Sequence, residues 1–164
     1  MTQNEIRTLY EFNYWAKGRM LGVLDSLPEE ELYKDLKTSF GGIHSTIVHI
    51  CAAEDIWLKR FTGALGPKFL KDPDLPKYSD VKTKWMEVEK SMVEYVQSIS
   101  DEQLQKSFSY TNIKGEAFTN IRWHALQHLV NHSTYHRGQI TSMVRQLGGT
   151  PVSTDLIAFY RQKP

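Results

Sequence analysis

Residues 131–140, NHSTYHRGQI, decide how the rest of the chain is interpreted. The hydrophobic pattern predicts that this stretch lies in the longest helix, where it places His132 and His136 four residues apart. Side chains at that spacing share one helix face, so two imidazoles there can reach a single metal ion. Three more side chains capable of chemistry lie close by in the sequence: His124, His128 and Tyr135.

A helical wheel separates the histidines. At about 100° per residue, with Ile121 at zero, His132 falls at about 20° and His136 at about 60°, in the middle of an apolar arc. His128 lies at the margin of that arc and His124 lies outside it. The arc consists of Ile121, Ala125, Met143 and Leu147. Unpartnered neutral imidazoles in a core are costly, and either a metal ion or hydrogen bonds would remove that cost.

Composition limits the class of protein. The 164 residues, 40% of them hydrophobic, suit one domain spanning residues 1–164 with a sizeable core. No apolar run reaches transmembrane length, so we expect no membrane partner. The start lacks signal-peptide features and Cys51 is the only cysteine, so we expect a cytoplasmic protein. The net charge of +1, without a basic block, argues against nucleic acid as a partner.

Hydrophobic periodicity predicts four long helices, at about residues 2–24, 42–63, 79–99 and 119–148. Between the second and third, residues 64–78 contain three prolines and read as an irregular crossover, which is long enough to line a site. Residues 107–110 and 116–119 could form a small β-hairpin, and residues 154–161 a short C-terminal helix. The predicted fold is therefore an all-α four-helix bundle with one long crossover.

The second helix offers two further histidines. His44 leans toward its polar side, whereas His49 lies on a secondary strip with apolar neighbours. The wheel does not choose between them, although the apolar neighbours slightly favour His49. Glu54 falls within the main apolar arc, which is unusual for a carboxylate.

The chain resembles the DinB family, within the DinB/YfiT-like superfamily. The resemblance is carried by residues 14–16 (YWA), 49–54 (HICAAE), 131–139 and 151–156. Members are four-helix bundles in which one histidine of the second helix and an HxxxH pair of the last long helix bind a divalent metal, usually zinc or nickel. Carried over to this chain, the resemblance implies that His49, His132 and His136 are the ligands.

The resemblance also implies an activity. Members with assigned activities include thiol-dependent S-transferases that use bacillithiol, mycothiol or glutathione, and some hydrolases and isomerases. The leading hypothesis is a metal-dependent thiol S-transferase acting on small electrophiles in detoxification or the stress response. The alternatives are a metal-dependent hydrolase, a non-catalytic metal-binding or stress-response bundle, and a metal-free helical interaction protein.

Family members are commonly homodimers, and the last long helix carries a second apolar arc that could meet a partner chain. That arc consists of Trp123, Leu126, Val130 and Val144.

Three protein nitrogens with open positions are typical of a catalytic zinc site. The metal would lower the pKa of a bound water to about 7, or stabilise a bound thiol as thiolate, and one of these would be the reacting group. Glu54 could orient His49 or act as a base, but a snorkelling or helix-stabilising carboxylate fits this position at least as well. His128 could support the site or the fold. Cys51 lies near an apolar arc, where a lone cysteine more often packs than reacts.

Overall fold

A computed structural model describes residues 1–64 and 68–162 of the chain, which are mostly helical with one two-stranded antiparallel sheet. The elements are α1 (Gln3–Leu24), α2 (Glu29–Leu32), α3 (Ile43–Phe61), α4 (Tyr78–Ser98), α5 (Asp101–Gln105), β1 (Ser107–Thr111), β2 (Ala117–Ile121), α6 (Arg122–Gln146) and α7 (Leu156–Tyr160), with a 3-10 turn at Asp72–Asp74.

The four long helices lie where the hydrophobic pattern predicts them, and they pack in a closed cycle. Helix α1 contacts α4 and α6, and α3 contacts the same two helices. One apolar cluster surrounds Phe12, Met92 and Leu126 at one end, and a second surrounds Ile47 and Trp85 at the other. Because each fully buried large apolar side chain contributes about 1.5–3 kcal/mol, these clusters are the main force that holds the helices together.

The start of α6 differs from the prediction. Helix periodicity predicts a start near residue 119 or 120, but β2 continues to Ile121, which pairs with Ser107 of β1. The Arg122 N–H donates to the Lys106 carbonyl and extends the ladder by one more bond. The residues that helix periodicity assigns to the first turn of α6 therefore lie in the β-hairpin.

The start of α3 depends on a close backbone approach. A Cβ atom on Gly42 would lie 2.3 Å from the Lys34 carbonyl oxygen, so only glycine fits between α2 and α3 without a shift of the backbone. Asp72 accepts a hydrogen bond from the Ser45 hydroxyl and ties the crossover to the first turn of α3. Residues 65–67 of the predicted crossover lie outside the described residues.

The second apolar arc of α6 belongs to the core. Leu126, Val130 and Val144 are at most 5% exposed, and Trp123 is half-buried against the same core. This arc therefore gives no support to the predicted homodimer. None of the helices in the described part of the chain is both long and apolar enough to cross a membrane.

Candidate metal centre

The structure brings together one histidine from α3 and two from α6. His49 Nε2 lies 3.0 Å from His132 Nε2, and His136 Nε2 lies 3.1 Å from the same atom. One nitrogen from each of the three rings lies within 4.8 Å of the others. In a tetrahedral zinc site with bonds of about 2.0–2.1 Å, two ligand nitrogens are about 3.3 Å apart. The three side chains are therefore close enough to bind one metal ion.

The number of donors distinguishes this cluster from a closed structural site. Throughout residues 1–64 and 68–162, no cysteine or carboxylate joins the three histidines as a further ligand. His136 is buried, whereas His49 and His132 are only half-buried. Since a structural zinc site is usually closed by four protein ligands, three donors at a partly exposed position favour an open site.

The contacts of His136 and His132 also fit a cation. His136 Nδ1 lies 2.7 Å from Gln139 Oε1, and when this nitrogen donates its proton, the lone pair of His136 Nε2 points at the cluster. His132 Nε2 lies between the other two Nε2 atoms and has either one proton or one lone pair. It cannot make two good hydrogen bonds at once, whereas one cation would accept all three lone pairs.

Burial keeps two of the rings neutral. Burial, followed by the proximity of His136, His49 and His128, lowers the pKa of His132 to about 3. Burial, followed by the proximity of His136, lowers the pKa of His49 to about 4. Both imidazoles are therefore uncharged at neutral pH, which is the protonation state that metal coordination requires.

Aromatic rings contact two of the three histidines. Phe40 stacks on His49 at a centroid distance of 4.2 Å, Phe69 lies 6.0 Å from His49, and Tyr135 lies edge-on to His136 at 5.0 Å. Sequence reasoning did not identify Phe40 or Phe69. The length of the crossover was the only sequence signal that pointed toward Phe69. These rings give the cluster apolar neighbours next to His49 and His136.

The other histidines lie outside the cluster. His128 is exposed, with its ring centroid 6.1 Å from that of His132. His44 is buried against Tyr33 at 4.7 Å, and His124 is exposed beside Trp123. Of the two histidines on α3 that the wheel left open, His49 is thus the one near the α6 pair.

Glu54 makes no hydrogen bond to His49. Its fully buried carboxylate accepts hydrogen bonds from Asn13 Nδ2 at 3.0 Å, Trp85 Nε1 at 3.0 Å and Ser133 Oγ at 3.2 Å. Helical rotation turns Glu54 about 140° away from His49, toward the interior between the helices. Glu54 therefore joins α1, α3, α4 and α6, which fits the structural reading of this residue better than a direct role at the cluster.

Arg137 extends this buried network. Its Nη1 donates to Asn13 Oδ1 at 2.6 Å and its Nη2 to Thr134 Oγ1 at 2.7 Å. Burial lowers the pKa of Arg137 to about 10, an effect that the charge of Glu54 opposes. Ser133 and Arg137 directly follow His132 and His136 in the sequence, so the network holds the part of α6 that carries the cluster.

Cys51 is not poised to act as a nucleophile. It is fully buried, and burial together with Glu54 and Asp55 raises the pKa of its thiol to about 12. The protonated form therefore dominates at neutral pH, as expected of a cysteine that serves packing.

Comparisons with known proteins agree with the sequence resemblance. A model of the DinB family matches residues 1–163. Protein DinB of Bacillus subtilis (strain 168) is 27% identical over 154 residues, and the match covers 90% of this chain and 88% of that protein. The uncharacterized protein YizA of the same strain is 26% identical over 153 residues, covering 90% and 91%.

A solved structure shares the fold. The crystal structure of a DinB-like protein from Bacillus cereus ATCC 10987 has a TM-score of 0.66, with 21% sequence identity, and covers 85% of this chain and 91% of that one. At this level of identity the likeness establishes the helical fold alone.

Proposed function

Because the chain belongs to the DinB family, we propose that it is a metal-dependent thiol S-transferase that acts on small electrophiles in detoxification or the stress response. The observation that carries this proposal is the approach of three Nε2 atoms from α3 and α6. His49, His132 and His136 would hold a divalent metal, zinc or nickel. The thiol would be of the bacillithiol, mycothiol or glutathione type.

The residues of the site have distinct tasks in this proposal. A divalent cation held by the three histidines supplies positive charge that favours the thiolate form of a thiol substrate. Gln139 fixes the His136 ring so that its Nε2 faces the cluster. Phe40 and Phe69 shield the His49 side from water, which strengthens electrostatic interactions at the reacting atoms.

Two features support an enzyme over a non-catalytic metal-binding bundle. Only three donors meet among the residues that the structure describes, and two of the three rings are partly exposed. A binding module that stores metal or uses it for stability is better served by four protein ligands and a closed shell. A metal-dependent hydrolase would use the same three histidines, so an assay must separate the two activities.

We infer that the helix packing is that of a four-helix bundle with one long crossover, forming a single domain over residues 1–164. We expect a cytoplasmic protein, and the family resemblance implies a homodimer whose interface is not the buried second arc of α6. Light scattering of the purified protein at micromolar concentration tests the assembly, and a monomer under those conditions would contradict the dimer.

The proposal is tested in two steps. Elemental analysis of protein purified without a histidine tag should find about one equivalent of zinc or nickel. The metal-reconstituted protein should then transfer the three candidate thiols to a small electrophile such as a chlorinated nitrobenzene, while a parallel assay follows ester hydrolysis. Bound metal with hydrolysis but no thiol transfer would favour the hydrolase, and bound metal with neither activity would favour the non-catalytic module.

A further inference from the structure

Arg60 lies in the last turn of α3, where its side chain packs against two aromatic rings. Its guanidinium lies over the ring of Trp57 at 4.8 Å and over that of Tyr110 at 5.1 Å. Within the described part of the chain no carboxylate pairs with it, and its buried Nε has no hydrogen-bond partner. The two rings fix the orientation of the guanidinium, so its remaining N–H groups form a preorganised fork for an anion.

Arg60 is also partly removed from water. Burial lowers the pKa of its guanidinium, although the proximity of Tyr110 opposes this effect. A cation that loses hydration without gaining a counter-charge is unfavourable, and a carboxylate bound in two parallel hydrogen bonds would remove that cost. The cation–π contacts with Trp57 and Tyr110 replace only part of the hydration energy that the Arg60 guanidinium loses.

A continuous row of side chains leads from Arg60 to the histidine cluster. The His128 ring lies 5.7 Å from Trp57 and 6.1 Å from His132. The backbone of Arg60 lies three helical turns beyond His49, about 16 Å along the axis of α3. Its side chain points back toward Trp57, so the guanidinium lies about 12 Å from His49 along that axis. His128 is exposed, so a ligand can approach along this row from solvent.

We propose that Arg60, held by Trp57 and Tyr110, binds the carboxylate of a small substrate whose reactive end lies at His49, His132 and His136. This inference rests on the proposed function of those histidines as the reactive centre. A span of about 12 Å matches three to four extended residues, so the ligand class is a carboxylic acid of that length. The plainer alternative is that Arg60 only stabilises the carbonyl end of α3.

The test compares Cys-Gly-Gly with its C-terminal amide, which differ only in the carboxylate. Binding to the metal-reconstituted protein of 164 residues is followed by the NMR signal of the Arg60 Nε–H group. The free acid should shift this signal saturably and bind about tenfold more tightly than the amide, as a charge-assisted pair of hydrogen bonds would give. The R60Q variant should bind the acid and the amide equally.

Arg19 provides the matched control, because its guanidinium also lies over a tryptophan, Trp15, at 5.1 Å, but its Nε donates to Ser153 O. R19Q should keep the preference for the acid. Equal binding of acid and amide to the wild type, or an Arg60 signal that does not move, would overturn the carboxylate site. A protein that takes up no metal but keeps the acid-dependent shift at Arg60 would contradict the proposed function and leave the carboxylate site standing.

Discussion

At the scale of single residues, the three histidines should differ in what they contribute. His132 Nε2 lies between the other two nitrogens, so His132→Ala should abolish metal uptake and thiol transfer together. His49→Ala leaves the i,i+4 pair on α6, which can retain weak metal binding. Transfer should then fall much further than metal content, because catalysis depends more on placement than affinity does.

Metal content and turnover of the reconstituted variants check this prediction. His124→Ala is the control, because His124 is exposed beside Trp123 and outside the cluster. Undiminished turnover in metal-free His132→Ala protein would rule out a metal mechanism.

Glu54 should matter for stability. Glu54→Ala would leave two buried donors, Asn13 Nδ2 and Trp85 Nε1, without their acceptor, and each such group costs about 1–3 kcal/mol. The free energy of unfolding measured in urea should fall by about 2–5 kcal/mol. Glu87→Ala is the control on α4, since that side chain is 65% exposed and its ion pair with Lys84 contributes at most about 1 kcal/mol. Equal losses for both variants would contradict the assigned role of Glu54.

At the scale of the elements, the start of α3 depends on Gly42. The added methyl of Gly42→Ala would meet the Lys34 carbonyl oxygen at 2.3 Å, and the backbone shift that relieves this contact should cost about 1–3 kcal/mol. Gly18→Ala is the matched control. Gly18 is exposed inside α1 with nothing within 4 Å of the new Cβ, so that change should stabilise the protein by about 0.5–1 kcal/mol. Thermal unfolding of both variants measures the difference, and a neutral Gly42→Ala would show that the loop adapts.

How far the sequence predicts each element depends on the range of the forces that form it. The long helices follow from local periodicity, and His132 and His136 follow from spacing within one helix. The third histidine does not, because the meeting of His49 with α6 is a contact between helices. The wheel favoured His49 only slightly, and its assignment rested mainly on the family resemblance. Local periodicity also does not predict contacts between strands or between helices. The sequence therefore predicted neither the end of β2 at Ile121 nor the three hydrogen-bond partners of Glu54.

At the scale of the whole molecule, the buried imidazoles should make the metal-free protein sensitive to acid. The pKa of His49 is lowered to about 4 and that of His132 to about 3, whereas in the unfolded chain an imidazole titrates near 6.5. Between pH 6.5 and these lowered values, the unfolded state therefore binds more protons than the folded state. Stability rises with pH wherever this holds, so it is lost as pH falls below about 6.5 and the loss levels off near the lowered pKa values.

The measurement is the unfolding temperature of chelator-treated protein from pH 7.5 to pH 4. The wild type should lose stability across this range, and His132→Ala should lose less, because one of the two buried imidazoles is gone. His124→Ala, which removes an exposed imidazole, should follow the wild type. Added zinc or nickel should steepen the dependence, because protons then compete with the metal for the same Nε2 atoms. Identical profiles for the wild type and His132→Ala would mean that protonation of His132 does not lower the stability of the folded state. Burial would then not be the reason that this ring is neutral.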